Sequence, residues 1–272
     1  MGRLVFVGLG LWDQDDMTVR ARAVLEQADQ VYAEFYTSRL FGCDTVAVAK
    51  AIGRAFEILP RAGVEEGEGE ILARLEGDKT VAFMTAGDAL TATTHQALRL
   101  SALRAGHSVE VVHGVSIKTA ASGLLGLSDY KFGRTTTLVF PEEHYFPESP
   151  LDVILENRAR GLHTLVLLDI RSEELRYMTA TQGAEVLLET LRRRAERGEA
   201  ADPALFSADT PVCAVARAGS PTPRLFAGPL RTLAEEEFGG PLHCLVVPGR
   251  LSEEEAEVVT AVTGHSFSAD RA

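Results

Sequence analysis

The chain has 272 residues, 46% of them hydrophobic, with 27 basic against 39 acidic residues and a net charge of −12. That is enough chain for two domains of ordinary size with a real core, and it is too apolar for a disordered protein. The acidic excess argues against a general affinity for nucleic acid or for anionic membrane surfaces.

Three cysteines, Cys43, Cys213 and Cys244, have no regular spacing, so they suggest neither a disulfide framework nor a zinc site. Cys213 and Cys244 lie in apolar runs and read as small core residues, which suits a reducing, cytoplasmic compartment. The apolar run at residues 4–7 is too short for a signal peptide and runs straight into a glycine turn. No stretch approaches the ~20 apolar residues that span a bilayer.

Taken in chain order, short apolar runs alternate with amphipathic ones. Residues 4–7 read as a buried strand, turned by Gly8-Leu9-Gly10. Residues 18–28 read as a helix, 31–35 as a strand, 45–52 as a short helix and 55–59 as another strand. Residues 64–69 are rich in glycine and glutamate and read as a loop before a helical stretch at 71–75. Residues 80–84 form a strand stopped by Ala86-Gly87-Asp88, and a helix follows over 93–104, closed by Gly106. A strand at 108–112 and a helix opening at 116 complete an alternation that predicts a mainly parallel sheet covered by helices.

The second half differs. Strands are expected at 135–140 and 164–170, with a proline-rich loop at 141–150 and a helix between them. A long helix spans 179–197 and ends in basic residues, which suits its dipole. Three further strands, at 211–216, 225–230 and 244–247, have few helices between them and suggest a mixed sheet; a helix at 253–262 closes the chain. The expectation is an α/β protein of two domains, 1–113 and 114–272, the first with a mainly parallel sheet and the second with a mixed one.

Two turns carry candidate chemistry. Gly8-x-Gly10 after the first strand allows close ligand approach, but Asp13 stands where a dinucleotide fingerprint needs its third glycine. A tight strand-to-loop turn explains the pair equally well. The stretch 85–95 places Asp88 outside a strand end, where ligands bind in open α/β sheets. Two roles are open to Asp88, accepting hydrogen bonds from a ligand or capping its own turn. None of the seven histidines forms a metal-ligand pair, so no metal site is expected. There is no G-x-S-x-G elbow and no phosphate-binding loop.

Several segments together resemble the diphthine synthases, a branch of the tetrapyrrole methylase superfamily. They are residues 7–13, 31–38, 87–95, 130–133, 161–164, 216–220 and 243–249. The G-D-x-L loop at Gly87-Asp88-Ala89-Leu90 is the superfamily's; A-E-F-Y-T-S at 33–38 and A-T-T-H at 92–95 mark the branch. The resemblance covers residues 4–264 and departs from the pattern at Ala89 and Val115, where most relatives carry proline.

The resemblance implies a methyltransferase that uses S-adenosylmethionine, releases S-adenosylhomocysteine and has two α/β domains with the cofactor in the cleft between them. The acceptor it implies is the amino group of a 3-amino-3-carboxypropyl histidine on translation elongation factor 2, trimethylated to diphthine during diphthamide biosynthesis. It also implies a homodimer. Carried over by position, the cofactor contacts are Leu11, Asp88, Thr91, Ser116 and Ile117 in the first half, and Leu168, Ala218 and His243 in the second. No catalytic side chain is implied, because the sulfonium already activates the methyl group. Glu34 and Tyr36 are candidates for the acceptor pocket or for packing. The alternative within the superfamily is a methyltransferase of precorrin or uroporphyrinogen type; outside it, a non-catalytic module that binds the elongation factor.

Overall fold

The computed structural model describes residues 1–268. The last four residues of the expected second domain lie outside that range. The chain divides into two compact units, residues 1–117 with 170–176, and residues 118–169 with 177–268 of the described chain.

In the first unit the elements are β1 (Arg3–Gly8), α1 (Val19–Gln27), β2 (Gln30–Glu34), α2 (Thr45–Ala51), β3 (Glu57–Ile58), α3 (Arg61–Glu65), α4 (Glu68–Ala73), β4 (Thr80–Thr85), α5 (Gln96–Arg104) and β5 (Ser108–Val112). The sheet order is β3-β2-β4-β1-β5 and every pairing is parallel. A parallel sheet is covered on both faces, so its strands read as continuous apolar runs and alternate residues enter opposite cores. Val5, Val7, Ala82 and Met84 pack with Ala21, Leu25, Val48 and Ile52 from α1, α2 and its cap on one face. Leu4, Phe6, Val81 and Phe83 pack with Val64, Ile71, Leu98 and Ala102 on the other.

In the second unit come α6 (Ile117–Leu125), β6 (Thr136–Leu138), α7 (Ser149–Ala159) and β7 (Thr164–Leu168); the hairpin of β8 (Ile170–Arg171) and β9 (Arg176–Tyr177), next in the chain, belongs to the first unit except for Tyr177. They are followed by α8 (Ala180–Glu196), β10 (Pro211–Ala216), β11 (Arg224–Pro229), α9 (Leu230–Leu233), β12 (His243–Val247) and α10 (Glu253–Thr263). Its sheet runs β11-β10-β12-β7-β6, with β6 and β7 parallel and the other pairs antiparallel. The α/β class, the parallel first sheet and the mixed second sheet are those expected. Cys213 and Cys244 are buried core residues.

Four local expectations need correction. Residues 64–69 are largely helical, as parts of α3 and α4, because Val64 and Ile71 reach the core. Their burial outweighs the ~1 kcal/mol that each helical glycine costs. The helix expected from residue 93 starts at Gln96, since the Thr93 hydroxyl and the His95 ring both turn back to the Ala89 carbonyl. The strand expected over 164–170 stops at Leu168. There the Asp169 carboxylate accepts from the Phe140 N–H at 3.0 Å and its carbonyl from the Met178 N–H at 2.9 Å. The strand expected over 55–59 shrinks to the two residues of β3, at the sheet's edge.

Candidate functional site

The carboxyl ends of β1, β4 and β5 converge on glycine. Leu9 N–H donates to the Thr85 carbonyl at 2.9 Å, and Gly10 and Gly87 exchange backbone bonds at 3.2 and 2.6 Å. A Cβ on Gly8 would lie 2.5 Å from Gly114 N and 2.6 Å from Gly87 O, closer than real contacts come. Only glycine lets these three backbones meet. Gly87 has φ +73° and nothing within 4 Å of where its Cβ would be, so that side of the loop is open.

The loop after β1 folds onto Asp16, whose carboxylate accepts from Leu11 N–H at 3.0 Å and Trp12 N–H at 2.6 Å. Asp88 is buried. One of its oxygens accepts from Leu90 N–H at 3.2 Å and the Thr91 hydroxyl at 2.9 Å, while the other lies 2.7 Å from His113 Nδ1. Burial opposes its charge, but the bonds from His113, Thr91 and Leu90 outweigh burial and hold the carboxyl below its usual range. Asp88 therefore caps its own turn, and it remains an ionised group at the strand end. Ser116 and Ile117 follow β5, at the entry to α6. Leu11, Asp88, Thr91 and Ser116 thus sit on loops at the carboxyl edge of the first sheet, and Ile117 opens the helix that follows.

In the second unit, β12 runs antiparallel to both β7 and β10, with Cys244 opposite Leu167 and His243 opposite Ala216. Leu168, His243 and the loop holding Ala218 therefore share one end of that sheet. Arg217 and Gly219 on either side of Ala218 both have positive φ, at 55° and 86°. His243 Nδ1 accepts from Ala180 N–H at 3.0 Å, at the start of α8, and Nε2 faces the Gly240 carbonyl at 2.8 Å. Since a carbonyl only accepts, Nε2 carries the proton. Burial lowers the His243 pKa, the Gly240 carbonyl opposes this, and Arg217 adds to it. Both ring nitrogens of His243 are thus engaged, and its ring packs edge-on against Phe238 at 5.8 Å between centroids.

Sequence reading missed two partners. Asp16 and His113 hold Leu11 and Asp88, and neither has a motif of its own; the only signal is that each follows a strand closely. Among the described residues, no cluster of histidine, cysteine or carboxylate groups fits a metal ion, and no helix is long and apolar enough to cross a membrane.

The family model for tetrapyrrole (corrin/porphyrin) methylases matches residues 3–234, so the chain belongs to that family. Within it, the branch is that of the diphthine synthases. The chain is 44% identical to the diphthine synthase of Methanocaldococcus jannaschii, over 93% of this chain and 96% of that one. It is also 44% identical to the diphthine synthase of Methanothermobacter thermautotrophicus, over 96% of each chain. A crystal structure of a diphthine synthase superposes with a TM-score of 0.86 at 32% identity, covering 96% of both chains.

Methylases of this family take S-adenosylmethionine as methyl donor. The first sheet's edge fits such a group chemically: an open glycine backbone, the ionised Asp88 and a nearby hydroxyl suit a cationic, many-donor ligand.

Proposed function

We propose that this chain trimethylates the amino group of the 3-amino-3-carboxypropyl histidine of elongation factor 2, giving diphthine. It is an S-adenosylmethionine-dependent methyltransferase with diphthine synthase function. The observation that carries the acceptor is likeness to diphthine synthases along almost the whole chain, including the two segments that mark the branch.

The donor supplies a methyl group already activated on a sulfonium. We assign its binding to Leu11, Asp88, Thr91, Ser116 and Ile117 in the first unit and Leu168, Ala218 and His243 in the second. Most lie at turns and offer backbone groups, which suits shape recognition. Asp88 would favour a cationic ligand at a strand end. The acceptor amine attacks only when neutral; a free α-amino group titrates near 8, and a partly desolvated pocket lowers that further. The protein's contribution is then proximity and alignment, with no general base required. The family likeness also supports a homodimer acting in the cytoplasm, which light scattering on the purified protein tests.

The deciding experiment is transfer of labelled methyl to elongation factor 2 that already carries the aminocarboxypropyl histidine. Transfer of three methyl groups is the expected result. No transfer, alongside methylation of a tetrapyrrole precursor, would overturn the assignment.

A further inference from the structure

Glu34, the last residue of β2, and His95, just before α5, are both buried, with side chains 0% exposed. One Glu34 oxygen accepts from the backbone N–H groups of Tyr36 and Thr37 at 2.9 and 3.0 Å. The other accepts from the hydroxyls of Thr37 and, at 2.5 Å, of Thr85, and lies 3.3 Å from His95 Nε2, a buried nitrogen that makes no hydrogen bond among the described residues. Burial opposes the charge on Glu34; the His95, Thr37 and Thr85 contacts overcome it and lower its pKa. On its other side, His95 Nδ1 lies 2.8 Å from the Ala89 carbonyl, so Nδ1 is the donor there. The ring is held edge-on by Phe83 and Tyr36, with centroids 4.9 and 6.3 Å away.

Glu34, through Thr85, and the His95 ring, through Ala89 and its packing on Tyr36, therefore join segments on neighbouring strands. One is the turn after β2. The other is the loop after β4, through both Thr85 and Ala89. The turn after β2 is also one wall of a pocket of about 360 Å³, lined by Tyr36, Arg39, Leu40, Val48, Ile58 and Ser172 among others. The segments that mark the diphthine synthase branch, residues 33–38 and 92–95, meet physically at these two side chains, whereas Asp88 bonds to Leu90, Thr91 and His113.

We propose that Glu34 and His95 are positioning residues for methyl transfer, locking the pocket wall after β2 to the donor loop after β4. This rests on the assignment of the loop at 87–91 to the methyl donor. The physical need is clear: in-line transfer requires the amine and the methyl carbon about 3–3.5 Å apart and aligned. Two loops that move independently would spread that distance. Two loops fixed through one buried carboxylate and one ring would not. Neither residue has to touch donor or acceptor.

The test exploits the two ring nitrogens. In His95→Asn the amide nitrogen takes the place of Nδ1 and keeps the bond to Ala89, while the contact facing Glu34 is lost. In His95→Gln the amide reaches toward Glu34 and the bond to Ala89 is lost. With elongation factor 2 carrying the aminocarboxypropyl histidine as acceptor, His95→Asn should lower kcat by about tenfold to a hundredfold, the loss a misplacement near 1 Å produces. Its affinity for S-adenosylhomocysteine by calorimetry should stay within about twofold, because the donor loop keeps its own anchor. His95→Gln should weaken that affinity as well. If His95→Asn fails to fold, Thr37→Val removes a single donor to Glu34 and should show the same kcat loss, smaller in size. Kinetic constants unchanged in these variants overturn the proposal, as does a fall in melting temperature with kcat intact. Failure of the unsubstituted protein to methylate this acceptor would instead overturn the parent assignment.

Discussion

Asp88 shows how one carboxylate can serve a turn and a ligand together. Its oxygens already take Leu90 N–H, the Thr91 hydroxyl and His113. Asp88→Asn keeps the size, removes the charge and turns one acceptor into a donor. A hydrogen bond to a charged group contributes about 1.5–3 kcal/mol, so the substitution should cost stability of that order and weaken S-adenosylhomocysteine binding about tenfold or more. Thermal melting and calorimetry on the same preparation check both. Lower stability with unchanged affinity would confine Asp88 to bracing its own loop and remove it from the donor set. The sequence placed Asp88 at a strand end but left these roles balanced. The partner that tips the charge, His113, comes from the end of a strand that is not β4's neighbour, and residue spacing carries no trace of that.

At the scale of elements, most of the fold was readable because apolar runs and their period decide it. The inner strands β1 and β4 of the first sheet alternate between two cores, so each appears as an apolar run, and the intervening helices carry one apolar face. What escaped was decided by single side chains. Thr93 and His95 hold the Ala89 carbonyl and delay α5, and Asp169 ends β7 early by capturing Phe140. The hairpin of β8 and β9 has two-residue strands, too short to show any period.

Where the chain converges on glycine, the packing leaves no room for a side chain. Gly8→Ala drives a methyl group to 2.5–2.6 Å from two backbone atoms that no rotamer change can move. Overpacking typically costs about 1–3 kcal/mol, and here the relief must come from separating β1 from the loops after β4 and β5. Gly8→Ala should therefore lower the melting temperature and weaken donor binding together, whereas Thr179→Ala, which breaks the capping box of α8, should cost about 1 kcal/mol in stability. Gly8→Ala with full stability and full donor affinity would mean that the strand ends are not held at this spacing.

For the molecule as a whole, two buried histidine–glutamate pairs stand out, and only the first lies near the candidate chemistry. The second, His163 with Glu255, ties the chain across 92 positions. Glu255 Oε1 takes Ser128 N–H at 2.9 Å and faces His163 Nε2 at 3.1 Å, and Oε2 takes Ser252 N–H at 2.8 Å and Lys131 Nζ at 2.5 Å. His163 Nδ1 in turn accepts from Gly249 N–H at 2.9 Å. The pair closes α10 onto the start of β7 and the turn at 128–131, a long-range link that no local pattern announces.

This clamp sets an acid limit on stability. Burial opposes the Glu255 charge, yet its bonds from Lys131, Ser252, Ser128 and His163 pull its pKa from 4.5 to about 2. A carboxyl depressed in the folded state stabilises it fully above pH 4.5, and that contribution drains away as pH falls from 4.5 toward 2. His163 has the same sign: burial lowers its pKa from 6.5 despite Glu255, so below pH 6.5 the unfolded chain takes up a proton that the folded one resists. Stability should thus begin to fall below about pH 6.5 and fall more steeply below 4.5. The net charge of −12 works in the opposite direction, since acid relieves its self-repulsion. The comparison of parent with Glu255→Gln removes that shared background. Urea midpoints measured from about pH 2 to 8 should show the variant less stable at neutral pH by about 1–3 kcal/mol and flatter on the acid side. Parallel pH profiles for the two proteins would show that acid unfolding is governed by other carboxylates.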